Sequence, residues 1–457
     1  MKVADFASGK PNDALRRHAA GILDAALAAV DPARAVARHV RRRGSTLRIG
    51  RRTYDLSEFR RIFVVGTGKA GASMAAALEA ILGARLTAGI VTVKYGYTVP
   101  LTRVQLVEAG HPLPDDAGRR GADAILDLLA GAAANDLVLC ILSGGGSALL
   151  PSPVRQITLD EKVDVTALLL RSGATIREIN TVRKHLSRIK GGALARVAAP
   201  AQLAVIVLSD VIGDPVDAIA SGPASPDPTT FADALEILER YGLEDRVAPA
   251  VLEYLRAGAA GREPETAKPG DPLFAGVYVV VVGSNQVAAA AAARKATALG
   301  YASLLLTTCL EGEAREAARV LAGIGRSVRL AGIPASAPAC LIAGGETTVT
   351  VHGSGRGGRC QEFALSAAQA IDGWPATVIA AFGTDGTDGP TDAAGAVADG
   401  ATVERAEALG LSARRALAGN DAYPFFAALD DLIVTGPTNT NVNDLYLVLV
   451  GKSSRRR

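Results

Sequence analysis

The stretch IFVVGTGKAG, Ile62–Gly71, joins an apolar run to a glycine-rich turn, and an alanine-rich segment continues from it to about Leu82. A short apolar run without polar alternation is typical of a strand that is buried on both faces of a parallel sheet. Alanine favours a helix in the segment that follows. The pattern therefore predicts a strand–turn–helix unit, which is the building block of an α/β fold.

The same alternation of apolar runs and helix-like segments recurs along the chain. Hydrophobic residues make up 49% of the sequence but aromatic residues only 4%, so Val, Ile, Leu and Ala must fill the core. This composition suits sheets that are covered by helices on both faces, and we predict an α/β fold class. Further strands are predicted at Gly89–Val93, Val104–Val107, Leu137–Leu142, Leu203–Ser209, Val277–Val282, Ala302–Thr307, Ala339–Ile342, Thr347–Val351, Thr377–Phe382 and Leu445–Val450.

A length of 457 residues is too great for one hydrophobic core, and two or three domains are expected. Gly258–Pro272 is rich in glycine, proline and charge and has no period, so it is the best domain boundary. We predict an N-terminal domain over residues 1–257 and a C-terminal domain over residues 273–457 that begins with the strand Val277–Val282. Residues 1–60 are predicted as a helical lead-in that could pack on either domain.

The charges are balanced, with 49 Lys and Arg against 46 Asp and Glu, so nucleic acid and membrane surfaces are not expected as partners. The basic run from Arg41–Arg43 through Arg51–Arg52 is interpreted as a solvated face, and Arg455–Arg457 as a frayed tail. Four cysteines without a C-x-x-C spacing and a charged N-terminus without an apolar segment predict a cytoplasmic protein with no signal peptide. The oligomeric state stays open, with a homodimer as one alternative.

The turn Gly66–Gly71 fits G-x-G-x-x-G, whose glycines let the backbone approach an anion at the start of a helix. A dinucleotide site would also need an acidic residue at the end of the next strand, about 20 residues on. That strand ends at Lys94, so NAD is disfavoured, and NADP bound through Lys94 stays an alternative. Lys69 inside the turn favours phosphate or another anion over a plain structural turn.

A second glycine turn, Ser143–Ser147, follows the apolar strand Leu137–Leu142. Three successive glycines expose backbone N–H groups and the two serines add hydroxyls, which together predict a phosphate cradle. The helical segment Asn180–His185 and the following Lys190 are basic, and either a solvated face or an anion-facing role is open for them. No P-loop and no protein-kinase motif occurs, so a kinase would need a nucleotide site of another kind.

Three acids, Asp210, Glu346 and Asp385, each follow a predicted strand beside glycines. Any one of them could be a turn residue, but three together suit Mg²⁺ and phosphates. Arg359 lies with Arg356 at the start of a predicted helix, where a positive charge opposes the helix dipole unless an anion is bound nearby. This conflict favours a functional role for Arg359.

Ten segments of the chain, in the order in which they occur, resemble one family, the glycerate 2-kinases with a C-terminal MOFRL domain. Some members of this family were once labelled hydroxypyruvate reductases. The resemblance runs from about Ile62 to Leu449. The matching segments are GTGKAG (66–71), GHPLPD (110–115), SGGGSALL (143–150), INTVRKHLSRIKGG (179–192), LSDVIGDP (208–215), SGPASPD (221–227), AGGETTV (343–349), GGRCQEFAL (357–365), GTDGTDGPTDAAG (383–395) and TNVNDL (440–445).

The resemblance implies a Rossmann-like, doubly wound parallel sheet in the N-terminal domain, a second α/β domain with a mixed sheet, and an active site in the cleft. It implies transfer of a phosphoryl group from ATP to the 2-hydroxyl of D-glycerate, with Mg²⁺, to give 2-phosphoglycerate. Alternatives are an NAD(P)H-dependent hydroxypyruvate reductase and a non-catalytic sensor of small phosphorylated acids.

The resemblance also implies roles for residues at matching positions. Lys69 is the charged residue near the transferred group, Arg359 is the basic clamp, and Asp210, Glu346 and Asp385 are the site acids and tentative Mg²⁺ ligands. Either Asp210 or Asp385 could accept the hydroxyl proton. Substrate and phosphate contacts are assigned to Gly66, Gly68, Ser143, Gly144, Gly145, Gly146, Ser147, Lys190, Glu346 and Asn441.

Two positions depart from the family pattern, which usually has Asn where Cys360 stands and Gly where Asn439 stands. Cys360 removes an amide beside Arg359. Asn439 tolerates left-handed backbone angles, so we expect its loop to keep its conformation.

Overall fold

The computed structural model describes residues 9–452, and the chain divides into two compact units. We call Pro32–Val282 the Rossmann-like unit, and Gly283 onward together with the residues up to Asp31 the mixed-sheet unit. The predicted basic run Arg455–Arg457 lies outside the described residues.

The helices and strands up to residue 283 alternate as the sequence predicts for most of that length. They are α1 (Asp13–Ala29), α2 (Pro32–His39), β1 (Val40–Arg43), β2 (Thr46–Ile49), β3 (Arg52–Asp55), β4 (Arg61–Thr67), α3 (Gly71–Leu82), β5 (Ala88–Lys94), β6 (Val104–Ala109), α4 (Asp116–Leu129), β7 (Asp136–Leu142), α5 (Gly146–Leu149), α6 (Leu159–Arg171), α7 (Ile176–His185), α8 (Ala193–Ala198), β8 (Gln202–Leu208), α9 (Phe231–Arg240), α10 (Pro249–Ala259) and β9 (Val277–Gly283).

The remaining helices and strands belong to the mixed-sheet unit, which α1 also joins. They are α11 (Asn285–Ala298), β10 (Ala302–Leu310), α12 (Ala314–Ala331), β11 (Ala339–Gly345), α13 (Arg359–Ala370), β12 (Thr377–Gly383), β13 (Gly395–Asp399), α14 (Thr402–Ala408), α15 (Ala413–Ala418), α16 (Ala422–Ala428), β14 (Leu432–Ile433) and β15 (Asp444–Val450).

The sheet of the Rossmann-like unit has the strand order β6-β5-β4-β7-β8-β9, and β4, β5, β6, β7 and β8 pair in parallel. The chain therefore winds outward from β4 in one direction and from β7 in the other, as in a doubly wound sheet. In such sheets ligands bind at the carboxyl ends of the strands where the winding reverses, which here is between β4 and β7. The predicted fold class of this unit is confirmed.

The mixed-sheet unit has the order β10-β11-β15-β12-β13-β14. Only the β10–β11 pair is parallel, while β15 runs antiparallel to both β11 and β12. The predicted mixed sheet is confirmed. Its core is built mainly from alanine and branched aliphatic residues around Phe363 and Tyr446, as the low aromatic content requires.

The first 60 residues are not helical throughout. After α1 and α2 the chain forms the antiparallel sheet β1-β2-β3. Buried Leu47 and Ile49 alternate with exposed residues, and Gly44 and Gly50 close the two turns with φ of 60° and 56°. A period of two and left-handed glycines are the physical reason for strands here.

The strand at 277–282 also differs from its predicted place, because β9 lies beside β8 in the first sheet and does not open the second. The predicted strand Thr347–Val351 is absent apart from an isolated bridge between Thr348 and Glu313. The preceding strand β11 is already paired on both sides, by β10 and β15, so it leaves no edge for another strand. Among residues 9–452, no helix combines the length and the apolar character needed to cross a membrane.

An internal ion-pair cluster holds α1 in the mixed-sheet unit. Arg16 is fully buried, and its guanidinium lies 2.7 Å from Asp399 Oδ2 and 2.8 Å from Asp431 Oδ1. Both carboxylates are also completely buried, one at the end of β13 and one just before β14. The forked guanidinium thus joins the helix to the two strands at one edge of the sheet.

Removing the Arg16 charge should destabilise the mixed-sheet unit strongly, because the buried Asp399 would lose its cationic partner and the buried Asp431 would lose one of its partners. We expect Arg16→Met to lower the free energy of unfolding by about 3–5 kcal/mol. Arg17→Met is the matched control: this neighbouring arginine is 59% exposed and pairs with Asp13 one turn away, so a loss below about 1 kcal/mol is expected. Urea denaturation measures both, and equal losses would contradict the structural role of the cluster.

Candidate active site

The turns after β4 and β7 pack directly against each other, because these two strands are neighbours. The backbone N–H of Lys69 donates to Gly144 O at 2.9 Å, and that of Ala70 donates to Ser143 Oγ at 3.0 Å. A Cβ on Gly68 would overlap Ser143, and one on Gly66 would overlap the Ile141 carbonyl. Both glycines therefore have a packing role, and their predicted contact with phosphate stays a prediction.

The three glycines of the Ser143–Ser147 turn each face a different neighbour at close range. A Cβ on Gly144 would overlap the Asp210 carboxylate. One on Gly145, whose φ is 79°, would lie 2.8 Å from Cδ2 of His111 and 3.4 Å from Cγ of Lys69. The turn therefore brings Lys69, Asp210 and His111 around one short piece of backbone.

His111 is a site residue for which sequence reasoning assigned no role beyond its place in the GHPLPD segment. Partial burial and the positive charges of Lys69 and Lys94 lower the pKa of His111 to about 4. The imidazole is therefore neutral near pH 7, so that it adds hydrogen-bonding capacity beside Lys69 without adding charge.

Lys190 is fully buried and is fixed to the far end of the same turn. Its Nζ donates to both Ser147 O and Ser147 Oγ at 2.9 Å. Burial, together with the nearby cations Arg183 and Lys162, lowers the pKa of Lys190 well below its usual range. The structure places Lys190 beside this turn, and its predicted contact with phosphate stays a prediction. Arg183, from the basic segment Asn180–His185, and Lys162, to which the sequence analysis gave no role, are further cations nearby.

The basic segment Asn180–His185 proves to serve two purposes. Lys184 pairs with Asp227 at 3.4 Å and His185 lies 2.9 Å from Glu265, so these two residues are structural. Arg183 points the other way, with Nη2 donating to Ser147 O at 3.4 Å. Only one residue of the basic run therefore faces the turn.

In the mixed-sheet unit the site residues meet because β15 runs antiparallel between β11 and β12. Its first residue, Asp444, lies opposite Gly345 at the end of β11 and opposite Gly383 at the end of β12. Glu346 follows the one and Asp385 follows the other. This register brings the predicted acids Glu346 and Asp385 to the same end of the sheet as Asp444. Asp444 is buried between the two strand ends, and the sequence analysis assigned it no role.

Arg359 forms a two-pronged ion pair with Asp444. Its Nε donates to Oδ2 at 2.6 Å and its Nη2 to Oδ1 at 2.9 Å, while Nη1 lies 3.0 Å from Glu346 Oε1. Burial opposes the charge, but the hydrogen bonds and charge of Asp444 outweigh it and raise the pKa of Arg359. The predicted clamp is thus held in one orientation, with about a third of its side chain exposed.

The loops that carry Asp385 and Asn441 are tied together through backbone contacts. Thr384 N donates to Asn443 O at 3.2 Å, and Thr438 N donates to Asp385 O at 3.2 Å. Asp385 Oδ1 also accepts from Thr387 N at 3.0 Å, and Asn441 Oδ1 accepts from Asn443 N at 3.2 Å. These hydrogen bonds hold the two loops against each other beside Asp444.

The structure describes both positions that depart from the family pattern. Asn439 has φ of 58°, so the expectation that it takes left-handed angles is confirmed. Cys360 is fully buried in the first turn of α13, and its N–H donates to Asp388 Oδ1 at 3.1 Å. Asp388 and Asp444 are the anions that the basic start of this helix requires, so the conflict noted in the sequence is resolved by the protein itself.

No metal site is preassembled in the part of the chain that the structure describes, since no three His, Cys, Asp or Glu side chains are grouped to hold an ion. Mg²⁺ is commonly held by one or two carboxylates together with substrate phosphates, and the partly exposed Asp210 and Asp385 offer suitable oxygens. Metal binding by Asp210, Glu346 and Asp385 stays a prediction. That the two groups of residues serve one active site also stays a prediction.

Comparisons with known proteins agree on one family. Residues 18–256 match the model described as a domain of unknown function, DUF4147, and residues 339–444 match the MOFRL family. The chain is 43% identical to a D-glycerate 2-kinase of Thermotoga maritima, over 85% of this chain and 91% of that protein. It is 45% identical to a protein of Agrobacterium vitis provisionally named hydroxypyruvate reductase, over 94% and 93% of the two chains.

The fold comparison gives the same result. A crystal structure of glycerate kinase from Thermotoga maritima superposes with a TM-score of 0.86 at 40% sequence identity. The match covers 96% of this chain and 100% of that one.

The electrostatics around His111 can be measured by NMR titration of its imidazole. We expect a midpoint near pH 4 in the folded protein, compared with about 6.5 in an unfolded chain. Lys69→Met should raise the midpoint because it removes one repelling charge, whereas Arg171→Met, at an exposed position of α6, should leave it unchanged. A wild-type midpoint near 6.5 would contradict the described environment.

The same shift has a consequence for stability. Between about pH 4 and 6.5 the unfolded chain binds more protons at this histidine than the folded protein does. The free energy of unfolding should therefore rise with pH through this window and fall as the medium is acidified. His111→Gln should flatten this part of the stability profile.

Proposed function

The chain belongs to the glycerate kinase family that combines a DUF4147 domain with a MOFRL domain, and from this premise we propose that it transfers the γ-phosphoryl group of ATP to the 2-hydroxyl of D-glycerate. The oxygen–phosphorus bond to the substrate forms as the bond to the leaving ADP breaks. The products are 2-phosphoglycerate and ADP, and the hydroxyl proton passes to a carboxylate.

The observation that supports the proposal most is the grouping of Lys69 and Asp210 on the glycine turn Ser143–Ser147. Phosphoryl transfer requires of the protein chiefly that it position the reactants and neutralise charge. In this proposal Lys69 offsets negative charge on the transferred group. Arg359, fixed by Asp444, offsets charge through its exposed edge, and Asn441 and Glu346 contact the substrates.

The proton acceptor is proposed to be Asp210 or Asp385. Each is a partly exposed carboxylate in the loop just after a strand, β8 for Asp210 and β12 for Asp385. The same oxygens suit Mg²⁺, which would shield the phosphate charge when bound. Substituting each aspartate with asparagine separates the roles. Loss of the proton acceptor lowers kcat at all Mg²⁺ concentrations, whereas loss of a metal ligand is relieved by excess Mg²⁺.

The reductase alternative has weaker support from the site. The strand β5 ends at Lys94 without an acidic residue to hold a ribose. The glycines of the G-x-G-x-x-G turn are explained by packing alone, because a Cβ on Gly66 would overlap Ile141 of β7, and one on Gly68 would overlap Ser143. A binding-only role, as a sensor, would not need the Asp210 carboxylate on the same turn as Lys69.

We further propose a cytoplasmic location, which suits the cysteines Cys140, Cys309, Cys340 and Cys360, all of them free. The partners proposed are the small molecules D-glycerate and ATP.

A single assay tests the reaction. With ATP, Mg²⁺ and D-glycerate, phosphorus NMR should show 2-phosphoglycerate as the product, with no 3-phosphoglycerate. In parallel, NADPH absorbance in the presence of hydroxypyruvate should not change. Accumulation of the 3-isomer would overturn the assigned position, and NADPH oxidation without any phosphorylated product would favour the reductase.

Variants of the two assigned cations should lose turnover while remaining folded. We expect Lys69→Met and Arg359→Lys each to lower kcat by about 100-fold or more, because each removes charge or a rigid fork from the transferred group. Lys94→Met and Arg356→Lys are matched controls at the end of β5 and just before α13. Near-normal turnover in both site variants would remove the assignment.

A further inference from the structure

A cavity of about 380 Å³ opens in the Rossmann-like unit beside the Ser143–Ser147 turn. One side is formed by apolar side chains of α6 and the start of α7, and the other by the turn itself. The apolar wall consists of Leu159, Val163, Ala167, Leu170 and Ile176. Leu170 and Ile176 are 61% and 63% exposed, so a large apolar surface is presented at the rim.

Three cations line the inner part of this cavity: Lys162, Arg183 and Lys190. Lys162 and Lys190 are only 5% and 1% exposed. Their hydrogen bonds go to neutral oxygens: Lys162 donates to Leu186 O at 2.8 Å, while Lys190 and Arg183 donate to Ser147. Among the described residues, none of the three lies within ion-pair distance of a carboxylate.

Such a group is unfavourable unless an anion joins it. Burial and mutual repulsion lower the pKa of Lys162 and of Lys190 well below their usual range, and burial lowers that of Arg183 to about 10. By contrast, the buried cation Arg16 is fully compensated by Asp399 and Asp431. The absence of such compensation around Lys190 indicates a ligand that carries several negative charges.

We propose that this cavity binds the nucleotide, with the phosphates on Lys162, Arg183, Lys190 and Ser147 and the base against the apolar wall of α6. This inference rests on the proposed function and assigns it a nucleotide site. A polyphosphate supplies the multiple charges that the three cations call for, and the apolar wall suits a planar aromatic ring. Glycerate has a single carboxylate and no apolar surface, so it would leave both features unsatisfied.

The position of the cavity fits the reaction as well. Ser147 contacts Lys190 and Arg183 at one end of the glycine turn. Two residues earlier, Lys69 lies so close to Gly145 that a Cβ there would be 3.4 Å from Lys69 Cγ. A chain of phosphates that begins on the buried cations therefore leads toward Lys69 and Asp210. In this arrangement the transferred phosphoryl group lies beside Lys69 and Asp210, the residues that are proposed to take part in its transfer.

Isothermal titration calorimetry on the full chain tests the site without relying on turnover. The probes are ADP, inorganic tripolyphosphate, adenosine and D-glycerate. Arg183→Met should weaken ADP and tripolyphosphate about 10- to 100-fold, as expected for a lost charge-assisted hydrogen bond, and leave D-glycerate unchanged. Leu170→Asn should weaken ADP and adenosine but not tripolyphosphate. Arg177→Met, an exposed position of α7, is the matched control and should bind all probes normally.

Folding of the variants is checked by thermal unfolding. Lys162→Met, which removes an uncompensated buried charge, should be at least as stable as the wild type without ligand and should weaken ADP in the same way as Arg183→Met. Lys162→Met therefore tests the nucleotide site even if Arg183→Met fails to fold.

The outcomes separate this inference from the proposed function. The nucleotide site would be overturned if Arg183→Met and Lys162→Met both bind ADP with unchanged affinity. It would also be overturned if these variants lose D-glycerate binding and keep ADP binding. Either result counts against the site even if the enzyme phosphorylates D-glycerate. Arg183-dependent ADP binding in a protein that phosphorylates nothing would overturn the proposed reaction and leave the nucleotide site standing.

Discussion

The central constraint is the space around three consecutive glycines, Gly144, Gly145 and Gly146. A side chain at any of these positions would run into a neighbour: the Asp210 carboxylate, the His111 ring or Thr67. The turn can exist in this form only because β4 and β7 are adjacent at the point where the sheet reverses its winding. The strand order of the Rossmann-like unit therefore permits this turn, and the turn places the side chains of the site next to one another.

Buried cations differ in whether a carboxylate compensates them. In the mixed-sheet unit Arg16 is buried between Asp399 and Asp431, and the partly exposed Arg359 is held by Asp444. In the Rossmann-like unit the buried Lys184 is likewise paired, with Asp227. These pairs fix the orientation of each cation. In the Rossmann-like unit Lys190 and its neighbours have only neutral oxygens, so that an incoming polyanion would complete the site.

Local sequence patterns were enough to predict the strand–turn–helix units, the glycine turns and the free cysteines. Because β4 and β7 are typical buried strands followed by glycines, their turns could be identified without knowing their partner. The register of β15 between β11 and β12 is a long-range property, so Asp444 could not be recognised as the partner of Arg359 from its own surroundings in the chain. Lys162 was missed for a similar reason, since it lies on a helix that looks amphipathic, and the sequence of Asn180–His185 did not tell which of its basic residues faces the turn. The place of β9 was missed because a strand carries no local mark of the sheet it joins, whereas β1–β3 showed an alternation that could have been noticed.

The most direct test of the central claim is kcat of Gly144→Ala, measured with saturating ATP and D-glycerate. One methyl group at this position must displace Asp210 or the turn, and displacement of about 1 Å is enough to lower kcat about 100-fold. Gly131→Ala is the matched control, because a Cβ there meets nothing within 4 Å. The account predicts a loss of about 100-fold for Gly144→Ala and none for Gly131→Ala. A folded Gly144→Ala enzyme with wild-type kcat would contradict it.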